Sequence, residues 1–391
     1  MAINWKCLVF IFVLIMSNTV VMAQNEIGTG QEEITAEEKV QVERGRIIRI
    51  IEDTQINLGE YIDDPDGSGF EVRYQLVEVK ITTGQFTGKV VEIENYIDVH
   101  NMVVGEGYEV LLYIEKDEGG ALASAFIMEI ARDKYLVYLV IAFVLVLVIV
   151  GGLKGLKTVI TLTITGIAVV KILLPLLLKG YSPILLSIGV CALISLITLL
   201  IVSGVNKKTW AAIAGTTGGV LVAGIVAWTI GSMANLTGLG NEEAQMLMFV
   251  PSEVQFDFRG LLFSGIILGA LGAVMDVSMS VASAMSEIQE HNSQIRPISM
   301  IKSGMNVGKD MMGTMSNTLI LAYVGGSLHL MLLFLAYDVP FSEIINRDMI
   351  ASEVVRALAG SIGLISAIPI TAVVMAGLGV IKNRLSGARL L

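Results

Sequence analysis

The sequence has little of what most catalytic and metal sites need: its 391 residues include two cysteines and three histidines. Cys7 and Cys191 lie in separate apolar segments, which excludes a disulfide framework and a Cys/His metal motif. The sequence also lacks a GxxxxGK[ST] nucleotide-binding loop and a basic tract suited to nucleic acid. We therefore predict no enzyme, no cofactor, no metal site and no nucleic-acid partner.

Charged residues are also scarce, at 16%, whereas 54% of residues are hydrophobic and the mean hydropathy is +0.74. A soluble domain of this length does not need so much apolar surface, so the composition predicts a polytopic membrane protein whose first partner is the lipid bilayer. The net charge of −10 comes mainly from acidic residues within the first 135 positions.

The first 23 residues have the pattern of a secretory signal peptide. Lys6 precedes the apolar run Cys7–Met16, and Val21-Met22-Ala23 forms a small-x-small cleavage site. An uncleaved helix is the alternative. Either reading places the next segment outside the cytoplasm. Residues 24–39 are acidic and without period, which is typical of a linker.

Residues 40–134 alternate apolar and polar side chains, as in Val72–Ile81, Gly88–Ile93 and Tyr108–Glu115. Such runs, separated by Gly and Asp/Pro turns, predict short strands. About five strands in a domain of this length favour a small extracytoplasmic β-barrel, with the OB-fold as the first choice and a sandwich as the alternative.

Residues 135–382 predict a membrane α-helical bundle of about seven transmembrane helices, each long enough to cross ~30 Å of hydrocarbon. The predicted spans are Tyr135–Gly152, Thr158–Leu178, Pro183–Ser203, Trp210–Leu236, Leu261–Ala284, Met311–Tyr337 and Val354–Ile381. Asn241–Asp257 and Val339–Ser352 mix apolar and charged residues, and we expect a short interfacial helix in each. Residues 383–391 form a tail.

The basic residues predict the orientation of these helices. With the N-terminal domain outside, the cytoplasmic segments contain ten basic residues and the outer segments four, Lys179, Arg259, Arg347 and Arg356. The ten are Lys154, Lys157, Lys207, Lys208, Arg296, Lys302, Lys309, Lys382, Arg384 and Arg389. This positive-inside bias agrees with the signal peptide and places the C-terminus in the cytoplasm.

One predicted helix carries a small or polar residue at every turn. The series, spaced by 4, 3, 4, 4, 3 and 4 residues, is Gly265, Gly269, Gly272, Asp276, Ser280, Ser283 and Glu287. These residues share one helix face, which we call the Asp276 stripe. A charged group facing lipid is costly, so we expect Asp276 to face inward between the fifth and sixth spans and to handle an ion or solute. A structural hydrogen-bonding role is the alternative.

Three further features accompany the stripe. The next span carries a second polar face, formed by Asn306, Asp310, Thr314 and Asn317, which we expect to meet the first. Lys171 lies inside the second span, where it either snorkels or faces a cavity, four residues before the helix-kinking Pro175. The fourth span has a small-residue series that predicts close helix packing, formed by Gly215, Gly219, Ala223, Ala227 and Gly231.

Several of these segments resemble the YibE/F-like family of bacterial multi-pass membrane proteins. The resemblance lies in Gly269–Ser280 (GALGAVMDVSMS), Gly308–Tyr323 (GKDMMGTMSNTLILAY), the late Gly360–Gly363 (GSIG) and Ile368–Ala372 (IPITA), and Thr87–Asn95 (TGKVVEIEN). This resemblance implies a location in the bacterial cell membrane. It assigns no functional role to any residue.

Two functions therefore remain open. A secondary transporter or permease would use Asp276 as a coupling group for a small solute or ion. A non-transporting envelope component would use its outer β-domain to bind a protein or cell-wall partner. An intramembrane protease has weaker support, since Ser327 with His329 is a poor match to a catalytic pair.

Overall fold

The computed structural model describes residues 41–57, 71–97, 102–117, 119–250, 255–292 and 295–387. The predicted signal peptide and acidic linker lie outside these residues. The chain forms two compact units that divide between Val144 and Leu145. We call them the barrel unit and the helical unit.

The barrel unit contains one five-stranded antiparallel sheet of order β3-β2-β1-β4-β5. Its strands are β1 (Gln41–Asn57), β2 (Glu71–Ile81), β3 (Val90–Ile97), β4 (Glu109–Lys116) and β5 (Leu122–Ile130). The edge strands β3 and β5 approach each other, so the sheet curls into a nearly closed barrel. The predicted small OB-like barrel is confirmed, and the alternative sandwich is not found.

The long strand β1 makes this closure possible. Its first residues pair with β4 and its later residues pair with β2. The register with β2 shifts between Ile47 and Arg49 and again between Ile50 and Glu52. Such irregularities bend a strand and increase its twist, which lets one strand serve both sides of a barrel.

A buried amide completes the core of the barrel. Val77, Val79 and Ile81 point inward from β2, and Gln75 has the same parity and is fully buried. Its Oε1 accepts from the backbone N–H of Val104 at 3.0 Å, and its Nε2 donates to Asp53 Oδ2 at 3.0 Å. A buried amide with these partners is satisfied and helps to fix the strand register.

The first helix begins in the barrel unit. Arg44 donates two hydrogen bonds to Asp133, at 2.9 and 3.2 Å, and Lys134 pairs with Glu109. These contacts tie the first turn of the helix to β1 and β4. The first turns of this helix therefore belong to the barrel unit, which ends at Val144.

The remaining elements are helical. They are α1 (Asp133–Ile167), a π-helical segment (Ala168–Leu173), α2 (Leu174–Leu178), α3 (Pro183–Ser203), α4 (Lys207–Met233), α5 (Glu242–Leu247), α6 (Phe258–His291), α7 (Pro297–Gly326), α8 (Leu328–Ala336), α9 (Phe341–Ile344) and α10 (Asp348–Gly387). Within the described residues, five helical stretches are long and apolar enough to cross a membrane, or six if α7 and α8 count as one. The short helices α5 and α9 lie in the two segments predicted to contain them.

The first two predicted spans lie in one stretch, Asp133–Leu178, and the count of about seven is reached only if this stretch is divided. The backbone leaves the helical conformation at Gly152, with φ 53° and ψ −131°. A Cβ placed on Gly155 would lie 1.9 Å from the carbonyl oxygen of Leu147. Residues eight apart in a straight helix are ~12 Å apart along its axis, so the chain turns back at Gly152.

The sixth predicted span, Met311–Tyr337, is wrong as one continuous helix. Helix α7 begins at Pro297, and α8 leaves it at an angle of 58°. The bend follows Gly325 and Gly326. An ideal Cβ on either glycine would have nothing within 4 Å. The bend separates the long α7 from the short, apolar α8.

The centre of the helical unit is formed by α4, α6 and α10. A Cβ on Gly219 of α4 would lie 2.7 Å from the carbonyl oxygen of Gly363 of α10 and 2.7 Å from Val274 of α6. Gly231 is similarly close to the ring of Phe263. The predicted close-packing face of α4 is therefore confirmed, because glycine lets these backbones approach.

Candidate functional site

The Asp276 stripe lies on the outer face of α6. Bulky residues on the opposite face, such as Phe263, Val274 and Val281, are buried in the helical core. On the stripe, Ser283 is partly buried and the other six residues are exposed. The spacing thus predicted a shared face correctly, whereas the expected inward orientation is wrong for the single chain. The aliphatic face fills the core and leaves the stripe outside.

Asp276 makes no hydrogen bond or ion pair to any residue that the structure describes. Gly265 and Gly272 precede Asp276 on the stripe, and nothing lies within 4 Å of an ideal Cβ on either of them. At Gly269 the hydroxyl of Tyr323 would lie 2.8 Å away. The stripe is therefore open along most of its length and is approached by one phenol group from α7.

The second polar face is exposed as well. Asn306, Asp310, Thr314 and Asn317 all lie on the outer side of α7. Thr314 donates to the carbonyl of Met311 in its own helix, at 2.9 Å. Among the described residues, no hydrogen bond joins this face to the stripe. Helices α6 and α7 meet instead through other contacts, in which Met285 faces Gly304 and Tyr323 faces Gly269.

Lys171 lies in the π-helical segment and is exposed. It has no ion-pair partner within the described ranges. The local geometry follows from Pro175, which has no N–H to donate to the carbonyl of Lys171. The backbone widens into a π-turn just before it, and Leu174 donates to the carbonyl of Val169. The structure does not bring Lys171 to Asp276.

A cavity of about 550 Å³ lies where α4 ends and α6 and α10 begin. We call it the Arg356 cavity, and its polar lining includes Glu243, Ser352, Glu353 and Arg356. Gly265, the first residue of the Asp276 stripe, also lines it. This volume is within the range typical of ligand pockets.

The wall of the cavity is held by short contacts. Thr237 donates two hydrogen bonds to Asp348, from its backbone N–H at 3.0 Å and its hydroxyl at 2.8 Å. Arg259 donates from Nε to the carbonyl of Leu236 at 2.8 Å. A Cβ on Gly238 would lie 2.2 Å from the carbonyl of Phe258. These contacts fix the connection after α4 against the first turns of α6 and α10.

Two donor atoms beside this cavity have no acceptor among the residues that the structure describes. The Nε atom of Arg356 is buried and unpaired, as is the hydroxyl of Ser352, a residue that is 7% exposed. A terminal nitrogen of Arg356 reaches Glu353, but at 3.5 Å. Buried donors are usually satisfied, so these two atoms mark a part of the cavity wall whose hydrogen bonding is incomplete.

This cavity was not predicted from the sequence, where Arg356 counted only as one basic residue in the charge bias. The available signal was an arginine within the apolar stretch Val354–Ala357, since ionisable residues in such segments commonly mark functional positions. Its neighbours in space come from four separate helices and cannot be read from the sequence.

The apolar helices and their packing define a multi-pass membrane protein with an N-terminal β-barrel. The family model described as YibE/F-like protein matches residues 139–379, and the chain belongs to this family. The match contains the Asp276 stripe, the polar face of α7 and Arg356, and does not include Thr87–Asn95 in the barrel. No curated protein and no solved structure matches the chain.

Proposed function

We propose that the helical unit is a secondary transporter or permease for a small solute or ion. In this proposal the barrel lies outside the cytoplasm of a bacterial cell and the C-terminus inside. The observation that carries it is Asp276, an unpaired carboxylate on an open, glycine-lined face of a membrane-length helix. The chain contains no nucleotide-binding loop, so the driving force would be an ion gradient or a partner.

The extent of the stripe supports a path rather than a single contact. Gly265 and Glu287 are ~33 Å apart along the helix axis at 1.5 Å per residue, close to the thickness of the hydrocarbon core. Gly265 lines the Arg356 cavity, so the stripe begins at a cavity large enough for a solute. Small side chains along the face leave room beside the carboxylate.

The energetics favour water over lipid on this face. Placing an aspartate at the centre of a membrane helix costs ~2.5–3.5 kcal/mol or more. That cost falls if the face borders an aqueous crevice or a second protein surface. A carboxylate in an aqueous crevice can bind and release a cation or a proton, and this is the role we assign to Asp276. Ser280 and Ser283, one and two turns further along the stripe, would supply hydroxyl ligands. Asn306, Asp310, Thr314, Asn317 and Lys171 are its secondary candidates.

Thiol labelling tests whether the stripe is wet, without knowledge of the substrate. In a background lacking Cys7 and Cys191, we would compare Gly272→Cys and Ser280→Cys with Ile225→Cys, a matched position on the exposed face of α4. A charged thiol reagent applied to membranes should label the two stripe positions much faster than Ile225→Cys. Equal, slow labelling of all three would contradict an aqueous path.

The envelope-component alternative makes the opposite prediction for the stripe. It would use the barrel, where Tyr108 and Phe126 are each about half exposed. A dry stripe, together with absence of substrate-dependent ion flux in proteoliposomes, would favour this alternative. A labelled stripe with measurable flux would favour transport.

A further inference from the structure

A second cavity adjoins the Arg356 cavity and differs from it in character. It has a volume of about 200 Å³ and lies between α7, α8 and the first turns of α10. Its walls are mainly aliphatic and include Ile320, Val324, Val354, Ala357 and Leu358. We call it the Leu358 slot. Ser327 and Glu353 line both spaces, so the polar cavity and the apolar slot share a wall.

We propose that the two spaces together bind one phospholipid, with its headgroup in the Arg356 cavity and an acyl chain in the Leu358 slot. The polar cavity is lined by Arg356, whose side chain is 34% exposed and whose guanidinium suits phosphate oxygens, and by Ser352. The slot offers a mainly aliphatic lining, which suits a hydrocarbon chain. An amphiphile satisfies both, whereas a free anion would leave the slot empty.

The charges in the cavity select the headgroup. Glu243 and Glu353 face the same space as Arg356, so the lining carries two negative charges and one positive charge. A headgroup with a phosphate alone would meet a net negative lining. A headgroup that also carries an ammonium places its phosphate at Arg356 and its ammonium at a carboxylate. Phosphatidylethanolamine is therefore expected to bind better than phosphatidylglycerol.

The position of the two spaces agrees with a lipid ligand. Both lie at one end of helices that are long and apolar enough to cross a membrane. Along α10 the polar cavity extends from Met349 to Arg356 and the slot from Ile350 to Leu358, so the two spaces lie side by side. Met349 and Leu358 are ~14 Å apart along the helix axis, which is close to half of the hydrocarbon thickness. A chain in the slot would thus run along the helices within a single leaflet. This inference goes beyond the proposed transport function and does not depend on it.

The test is lipid binding to the purified full chain in detergent, measured by native mass spectrometry and by the shift in melting temperature. The probes are phosphatidylethanolamine, phosphatidylglycerol of the same acyl chains, and soluble phosphoethanolamine. We expect retention and stabilisation in that order, with the soluble headgroup weakest. Equal binding of the two lipids would overturn the headgroup assignment, and soluble phosphoethanolamine binding as tightly as the lipid would overturn the use of the slot.

Variants locate the site. Arg356→Gln should weaken phosphatidylethanolamine binding about tenfold, because one charge-assisted contact is lost. Lys179 is an exposed basic residue outside both spaces, so Lys179→Gln is the control and should not change binding. Ser352→Ala should weaken binding less and serves if Arg356→Gln does not fold. An unchanged lipid preference in a folded Arg356→Gln or Ser352→Ala protein would overturn the proposal. Because no gradient is used, this result is separate from the outcome for transport.

Discussion

Helices α4 and α6 both carry small residues at helical spacing, but the small-residue face is buried on α4 and exposed on α6. On α4, the small residues Gly215, Gly219 and Ala223 are buried, and α10 lies against them, with the Thr371 side chain at Gly215 and Gly363 at the other two. On α6, Gly265 and Gly272 are exposed, and the nearest atoms lie more than 4 Å from an ideal Cβ. A series of small residues at helical spacing therefore identifies a face and does not identify what covers it.

The difference between the two faces comes from the other side of each helix. Trp228 and Ile225 of α4 are more than half exposed, so the bulky side of α4 faces outward and its small side faces the core. On α6 the bulky residues Phe263, Ile266 and Ile267 are fully buried, so the small side is left outside. The face left outside in this way carries glycines in its first half and polar residues from Asp276 onward.

The largest expected effect is on the α4 face. Gly219→Ala places a Cβ 2.7 Å from a backbone oxygen of α10 and 2.8 Å from the Cβ of Ala367. Overpacking of this kind costs about 1–3 kcal/mol, which outweighs the gain of up to about 1 kcal/mol from the better helix former. We expect a lower melting temperature in detergent for Gly219→Ala.

Gly272→Ala is the matched control on α6. Its Cβ meets nothing within 4 Å, so only the helix-propensity gain remains and the melting temperature should be unchanged or slightly raised. If the two variants melt alike, the contrast between a covered and an open face is wrong. If Gly272→Ala destabilises the protein in membranes but not in detergent, a second protein surface covers the stripe.

The extent to which these faces were predictable follows from helix geometry. The spacing of residues 265–287 places them on one face because an α-helix repeats every 3.6 residues. The same argument applies to residues 215–231. Whether a face is inside depends on which other helices arrive there, and that information lies in distant residues such as Gly363. The breaks at Gly152 and Ser327 likewise depend on local backbone geometry within otherwise uniform apolar stretches.

A second contrast sets Asp53 of the barrel beside Asp276. Asp53 accepts two hydrogen bonds from Arg73, at 2.7 and 2.8 Å, and one from Gln75. The Arg73 guanidinium, with the Gln75 amide, lowers the pKa of Asp53 from 3.8 to about 2. A lowered pKa means that the carboxylate stabilises the fold above about pH 4, and that this stabilisation is lost as pH falls through about 2.

We therefore expect Asp53→Asn to destabilise the barrel at pH 6 by about 1 kcal/mol, a value reduced for the partial exposure of the pair. The difference from wild type should shrink towards pH 2. Hydrogen–deuterium exchange of peptides from β2, taken as the ratio of variant to wild type at each pH, measures it. Glu78→Gln, which breaks an exposed pair with Arg49, is the control and should change little. A pH-independent ratio for Asp53→Asn would contradict this role.

The barrel was more predictable than the site within the helices. Alternation in Val72–Ile81, interrupted once between Leu76 and Val77, indicated β2, and the structure places the strand at Glu71–Ile81. The inward orientation of Gln75 was not predicted, because its neighbours Tyr74 and Leu76 are the apolar residues there, and its partner Val104 lies 29 residues away. Strand β5 has an irregular burial pattern, and the sequence analysis did not locate it.

The smallest expected change in stability is at Asp276, and it is also the one that bears most directly on function. Because Asp276 has no partner among the described residues, Asp276→Asn should alter the free energy of unfolding by no more than ~0.5 kcal/mol. Transport should nevertheless be lost, since Asn keeps the shape of the side chain and cannot bind or release a proton. The measurements are a thermal melt in detergent and ion flux in proteoliposomes. Asp338→Asn, which removes a carboxylate from the connection after α8, is the matched control and should keep both. A stable Asp276→Asn protein with normal flux would exclude a coupling role for Asp276, and a strongly destabilised one would reveal a structural partner for this carboxylate.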